Sequence, residues 1–124
     1  MNRKRVLVIE KNDILREKIA GVLSRWSSDV VVTIGSGCED VESLVTETQP
    51  NMLIIDIRAC GAGGAFAGAL KREAPGMRIL LLADENDENY QKACSEKGAD
   101  MLIAREAFGR EKNSVMELLM ANAV

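Results

Sequence analysis

Val6-Leu7-Val8-Ile9 is a continuous apolar run, rich in β-branched residues, that stops at Glu10-Lys11-Asn12-Asp13. It reads as a strand buried on both faces, because a strand with one wet face would alternate apolar and polar residues. Strands of that kind belong to parallel sheets covered by helices, so this stretch points to an α/β fold. Asn12 or Asp13 can cap the next segment. From Ile14 to Trp26, residues Leu15, Ile19, Val22, Leu23 and Trp26 recur at helical spacing and make one apolar stripe.

The same strand-then-helix unit recurs outward from this start. Val30-Val31-Val32-Thr33-Ile34 reads as a second strand, closed by Gly35-Ser36-Gly37. A helix from about Glu39 to Thr48 comes next, and Gln49-Pro50-Asn51 breaks it. Met52-Leu53-Ile54-Ile55 is the third strand and ends at Asp56. A loop from Arg58 to Gly64 carries three glycines, and a helix runs from about Ala65 to Glu73. Ile79-Leu80-Leu81-Leu82 is the fourth strand. Asp84 to Asn89 is a polar loop opening a helix through Lys97, with Gly98 where a left-handed C-terminal cap belongs. Met101 to Ala104 is the fifth strand, and a last helix covers about Glu111 to Ala121. Five such units with right-handed crossovers predict a doubly wound parallel sheet, flavodoxin-like, of strand order 2-1-3-4-5. The 124 residues are expected to form one domain, 1–124.

Composition narrows the function. The chain has no histidine, which excludes imidazole-ligated zinc, Ser-His and Cys-His nucleophile pairs, and a phosphohistidine of its own. A net charge of −3 argues against direct nucleic-acid binding. Four aromatic residues leave little to stack on a flavin or on bases. Cys38, Cys60 and Cys94 form no CxxC pair, which suits reduced thiols. No apolar stretch approaches the roughly 20 residues that span a bilayer, and the basic start lacks a signal-peptide core. A cytoplasmic protein without membrane contact is expected.

In an open parallel sheet the site lies beyond the carboxyl ends of the strands, at the switch point between strands 1 and 3. Glu10, Lys11, Asn12 and Asp13 stand there after strand 1, Asp56 and Arg58 after strand 3, Ala83 and Asp84 after strand 4, and Arg105 after strand 5. No glycine-rich phosphate cradle comes after strand 1, so a nucleotide site is poorly supported.

From Arg5 to about Ala121 the chain resembles the receiver domain of two-component response regulators. Val6 to Asn12, with Arg16 beyond it, resembles that family's first-strand motif, an apolar run ending in an acidic pair. Pro50-Asn51-Met52-Leu53-Ile54-Ile55-Asp56 resembles the strand that ends at the phosphoacceptor aspartate. Lys97-Gly98-Ala99-Asp100 and Arg105-Glu106-Ala107-Phe108 resemble the Gly-Ala step and the Lys-Pro-Phe motif around strand 5. The resemblance implies a phosphoryl switch and not an enzyme. Asp56 would accept a phosphoryl group from a sensor histidine kinase or a phosphotransfer protein, with Mg²⁺ neutralising charge. Contacts with a downstream protein partner would change in response, and a homodimer through strand 5 and its flanking helices is a further expectation.

The departures from that pattern are specific. Glu10 matches the first acid, but Lys11 replaces the second. Arg58 occupies the place whose backbone carbonyl helps to hold the metal. Ala83 stands at the switch Ser/Thr position without a hydroxyl, and Arg105 replaces the lysine as phosphate contact. Asp13 is a weak substitute ligand. Glu10 and Asp56 set against Lys11 and Arg105 sum to zero charge, so Mg²⁺ is expected to bind weakly or not at all. The Lys11 ammonium could sit where the metal would and pair with Asp56, or point to solvent. The alternative function is a pseudo-receiver, never phosphorylated, serving as a constitutive interaction or dimerisation module.

Overall fold

The computed structural model describes residues 3–37, 39, 41–57, 66–84, 92, 96 and 98–121. Arg58, the three cysteines and most of the helix expected between Asp84 and Lys97 lie outside the described residues. The elements run β1 (Lys4–Ile9), α1 (Asp13–Trp26), β2 (Val30–Gly35), α2 (Val41–Thr48), β3 (Met52–Asp56), α3 (Phe66–Glu73), β4 (Arg78–Ala83) and β5 (Met101–Ala104). A 3-10 turn (Arg105–Arg110) and a last helix, α4 (Lys112–Met120), complete them.

All strand pairs are parallel and the sheet order is β2-β1-β3-β4-β5. The continuous apolar runs therefore have the burial they imply. Every residue of β3 is buried, and Val6 to Ile9 are at most 1 % exposed. Alternate residues serve opposite faces. Leu7, Ile9, Leu53, Ile55, Ile79 and Leu81 meet Val41 and Val45 of α2 and Leu70 of α3. Val6, Val8, Met52, Ile54, Leu80 and Leu82 meet Ile19 and Leu23 of α1 and Val115 and Leu119 of α4. Each buried aliphatic side chain of this kind contributes about 1.5–3 kcal/mol, so the two layers hold the strand ends in place.

Several boundaries differ from the expectation. β1 starts at Lys4, whose N–H donates to the Asp29 carbonyl at 2.9 Å and which pairs with Val30. Backbone pairing extends the strand past the apolar residues that announce it. α2 begins at Val41, with Glu39 in a 3-10 turn ahead of it. The apolar pattern does not announce the 3-10 turn after β5, and α4 is correspondingly shorter than Glu111 to Ala121. Gly98 has φ +107°, and an added Cβ would come within 3.1 Å of the Gly68 backbone, so glycine is needed there for conformation and for space. Among the described residues no helix is long and apolar enough to cross a membrane.

Candidate functional site

The strand register assembles the site. Ile9 pairs with Ile55, which places Glu10 beside Asp56 at the carboxyl ends of β1 and β3. Ala83 pairs with Ala104, which sets Asp84 across from Arg105 at the ends of β4 and β5. Glu10 and Asp56 are the buried charged residues, at 4 % and 7 % exposure, among the described residues.

Arg105 is aimed by the 3-10 turn that it opens. Phe108 of that turn is buried and stacks on Trp26 at the end of α1, with ring centroids 5.3 Å apart. The stack fixes the turn against α1 and directs the guanidinium inward. Nη2 donates to Asp56 Oδ2 and Nη1 donates to Asp84 Oδ1. Nε lies 3.9 Å from Glu10 Oε1, beyond hydrogen-bond reach, and neither of those two buried atoms has a hydrogen-bond partner among the described residues. One guanidinium thus faces three carboxylates from three different strand ends.

The rest of the Glu10 region is tied down locally. Glu10 Oε2 accepts from the Asn12 N–H at 3.2 Å, and the Glu10 carbonyl accepts from Arg16 Nη1 at 2.7 Å. Asn12, one of the two expected caps, accepts from the Leu15 N–H at 2.9 Å and starts α1. Arg16 Nη2 pairs with Asp13 at 2.6 Å.

These contacts place each expected residue. Glu10, Asp56 and Arg105 come together, and Ala83 lies buried at the end of β4. Lys11 is exposed, and no ion pair joins it to Asp56 among the described residues, so of its two expected places the solvent one holds, and Asp56 pairs with Arg105. The reason is local, since Lys11 sits in the turn between β1 and the Asn12 cap, where its side chain points to water. Asp13 is corrected as a ligand candidate. Its side chain is 79 % exposed and engaged by Arg16 on the first turn of α1. Along the chain Asp84 reads both as a strand-end acid at the site and as the start of a solvated acidic loop, and it is not among the residues expected to carry the chemistry. Its position directly after Ala83, one step beyond the register partner of Ala104, brings it to Arg105.

The charge count changes accordingly. With Lys11 in solvent and Asp84 drawn in, the described cluster is Glu10, Asp56 and Asp84 around Arg105, three carboxylates to one cation, so the zero sum expected from the sequence does not hold and geometry decides the fit. A Mg²⁺ ion requires near-octahedral oxygens at about 2.0–2.1 Å. Here Asp56 Oδ2 is bonded to Arg105, whose Nε confronts the remaining Glu10 oxygen. No group of three acidic or sulfur ligands is set to hold a metal among the described residues. As arranged, these side chains do not fit the ion.

A family model for the response regulator receiver domain matches residues 6–112. The chain is a response regulator receiver domain. Its matched span contains Glu10, Asp56, Ala83 and Arg105. Among curated relatives, the receiver is 30 % identical over 105 residues to the transcriptional regulatory protein AfsQ1 of Streptomyces coelicolor, covering 85 % of this chain and 46 % of that protein. It is 24 % identical over 106 residues to the transcriptional regulatory protein DegU of Brevibacillus brevis, covering 85 % of this chain and 45 % of that one. The chain spans about half the length of these relatives. In structure it is similar to a signal receiver domain from Mycobacterium tuberculosis, with TM-score 0.84, 21 % identity, and 98 % and 100 % of the two chains covered. It is also similar to a response regulator from Burkholderia pseudomallei that carries a phosphorylated aspartic acid and a calcium ion. There the TM-score is 0.77 and the identity 22 %, with 97 % and 68 % covered.

Proposed function

We propose that this receiver domain passes a two-component signal by protein–protein contact, with Asp56 as the candidate acceptor of a phosphoryl group from a sensor histidine kinase or a phosphotransfer protein. The observation that carries this reading is the Asp56 carboxylate, buried at the end of β3 and bonded to the Arg105 guanidinium. A planar, always-charged guanidinium suits the oxygens of a phosphoryl group. In the proposed step an Asp56 oxygen attacks the phosphorus of a phosphoimidazole. The P–N bond breaks, the imidazole leaves with the electron pair and takes up a proton, and an acyl phosphate forms. The chain has no histidine, so the donor belongs to the partner. The phosphorylated aspartic acid of the Burkholderia pseudomallei regulator supports the same reading by analogy.

The domain then works by contact, in the cytoplasm, and not by turnover. A groove lined by Ile14, Leu15, Lys18, Val22 and Phe108 reaches Arg105, and Ile14 is 81 % exposed at its lip. That apolar exposure beside the acceptor suits a protein partner. A homodimer through β5 and its flanking helices belongs to the same proposal.

A second reading, the unphosphorylated pseudo-receiver, is favoured by Ala83, which offers no hydroxyl at the end of β4. Acetyl phosphate, and a phosphohistidine donor protein, each with and without MgCl₂ and followed by intact-mass measurement, separate the two. The acceptor reading expects a gain of one phosphoryl mass that Asp56→Asn abolishes. An unchanged mass in the parent protein selects the pseudo-receiver.

A further inference from the structure

We infer that Arg105 is a built-in counter-cation, clamped by Asp84, that closes the Glu10–Asp56 carboxylate pair to divalent metal ions. The inference rests on the geometry of the cluster and holds whether or not Asp56 is phosphorylated.

Three observations carry it. First, the guanidinium is spent on two strand ends at once, Nη2 on Asp56 and Nη1 on Asp84, so it cannot swing away from Asp56 without also breaking its bond to Asp84. Second, its Nε is buried 3.9 Å from Glu10 Oε1, also buried, and neither atom has a hydrogen-bond partner among the described residues. A carboxylate oxygen aimed into a buried site with no donor is the kind of ligand a cation seeks, and here the facing charge is the protein's own. Third, the Glu10 side chain is 5 % exposed and that of Arg105 17 %, so their mutual field is little screened by solvent. The cluster as a whole keeps a net charge of −2, so exclusion rests on the place the guanidinium occupies between these oxygens and not on net repulsion.

Asp84 is the positioning residue of this arrangement. It anchors the far edge of the guanidinium, opposite the edge that meets Asp56, and its side chain is 61 % exposed. A single ammonium could not bridge Asp56 and Asp84 with two fixed donors, and the fork of an arginine can. Arginine in place of lysine thus gives a cation held on two sides.

The test is a titration of the amide NMR spectrum with MgCl₂, with paramagnetic broadening by Mn²⁺ as an independent probe. The parent protein is expected to show no saturable shift at Asp56 and Ile57 through tens of millimolar Mg²⁺. Arg105→Gln removes the charge, keeps a planar amide, and is expected to tighten Mg²⁺ and Mn²⁺ binding at least about tenfold. Asp84→Asn loosens the clamp while leaving Arg105 on Asp56, and is expected to gain about threefold or less. Saturable binding by the parent at about 1 mM or below overturns the inference, as does a folded Arg105→Gln protein with unchanged metal affinity. If Arg105→Gln does not fold, Arg105→Lys carries the test: one ammonium frees one carboxylate, so an intermediate gain is expected and no gain overturns the proposal. None of these readouts depends on phosphoryl transfer, so failure of the Asp56 acceptor reading leaves them unaffected.

Discussion

The two ends of the sheet hold opposite kinds of ion cluster. At the amino ends of β4 and β5, one carboxylate serves two cations. Asp100 Oδ2 accepts from the Ile79 N–H at 2.8 Å and pairs with Lys71 Nζ at 2.7 Å, while Oδ1 lies 3.8 Å from Arg78 Nη1. At the carboxyl ends, one guanidinium serves three carboxylates among the described residues, and Glu10 Oε1 is left without a hydrogen bond. The first cluster ties α3 and the start of β4 to the turn before β5 through one hydrogen-bonded carboxylate oxygen, Asp100 Oδ2. The second concentrates buried acid in a place where the fold gains nothing from it. An excess of buried charge that packing does not explain marks the working end of a molecule.

Substitutions at three residues test that contrast, and the largest effect belongs to the crowded end. Arg105→Gln removes the guanidinium that pairs with buried Asp56 and faces buried Glu10, and is expected to lower stability by about 3 kcal/mol in urea unfolding at neutral pH. A roughly 5–15 kcal/mol domain tolerates such a loss and remains folded. A change under about 1 kcal/mol would mean that Arg105 contributes as little as a surface cation.

At the opposite end, Asp100→Ala removes the acceptor of the Ile79 N–H and both ion pairs. Its expected cost is about 2 kcal/mol, with about half of it recovered in Asp100→Asn, which can still accept that hydrogen bond. Equal costs for the two variants would show that the charges, and not the N–H bond, hold this corner.

The smallest effect is the most diagnostic. Glu10→Gln keeps an acceptor for the Asn12 N–H and discharges a buried carboxylate that has one unsatisfied oxygen. Its stability is expected to stay within about 1 kcal/mol of the parent. A loss of about 2 kcal/mol or more would place Glu10 among the structural pairs, like Asp100, and erase the difference between the ends.

How much of this is readable from the chain depends on the range of the interaction. The strand order comes from continuous apolar runs alternating with amphipathic helices, because burial on both faces leaves few arrangements for five strands. Glu10, Asp56 and Arg105 are readable because each directly succeeds such a run. The 3-10 turn after β5 is not, since the Phe108–Trp26 stack that supports it joins residues far apart in sequence. Lys11 stays open along the chain, in the site or in solvent, because only its place in the turn before Asn12, where it is exposed, decides between them.

Residue type and period are enough for the architecture, for the strand ends that carry charge, and for the absence of a histidine donor and a switch hydroxyl. Which cation meets which acid is settled by the packed fold. Parallel register puts Asp84 opposite Arg105 and Glu10 beside Asp56, and side-chain direction removes Lys11 from the group. Pairing across strands is a long-range geometric fact, set by how four strand ends meet and not by any residue's neighbours along the chain.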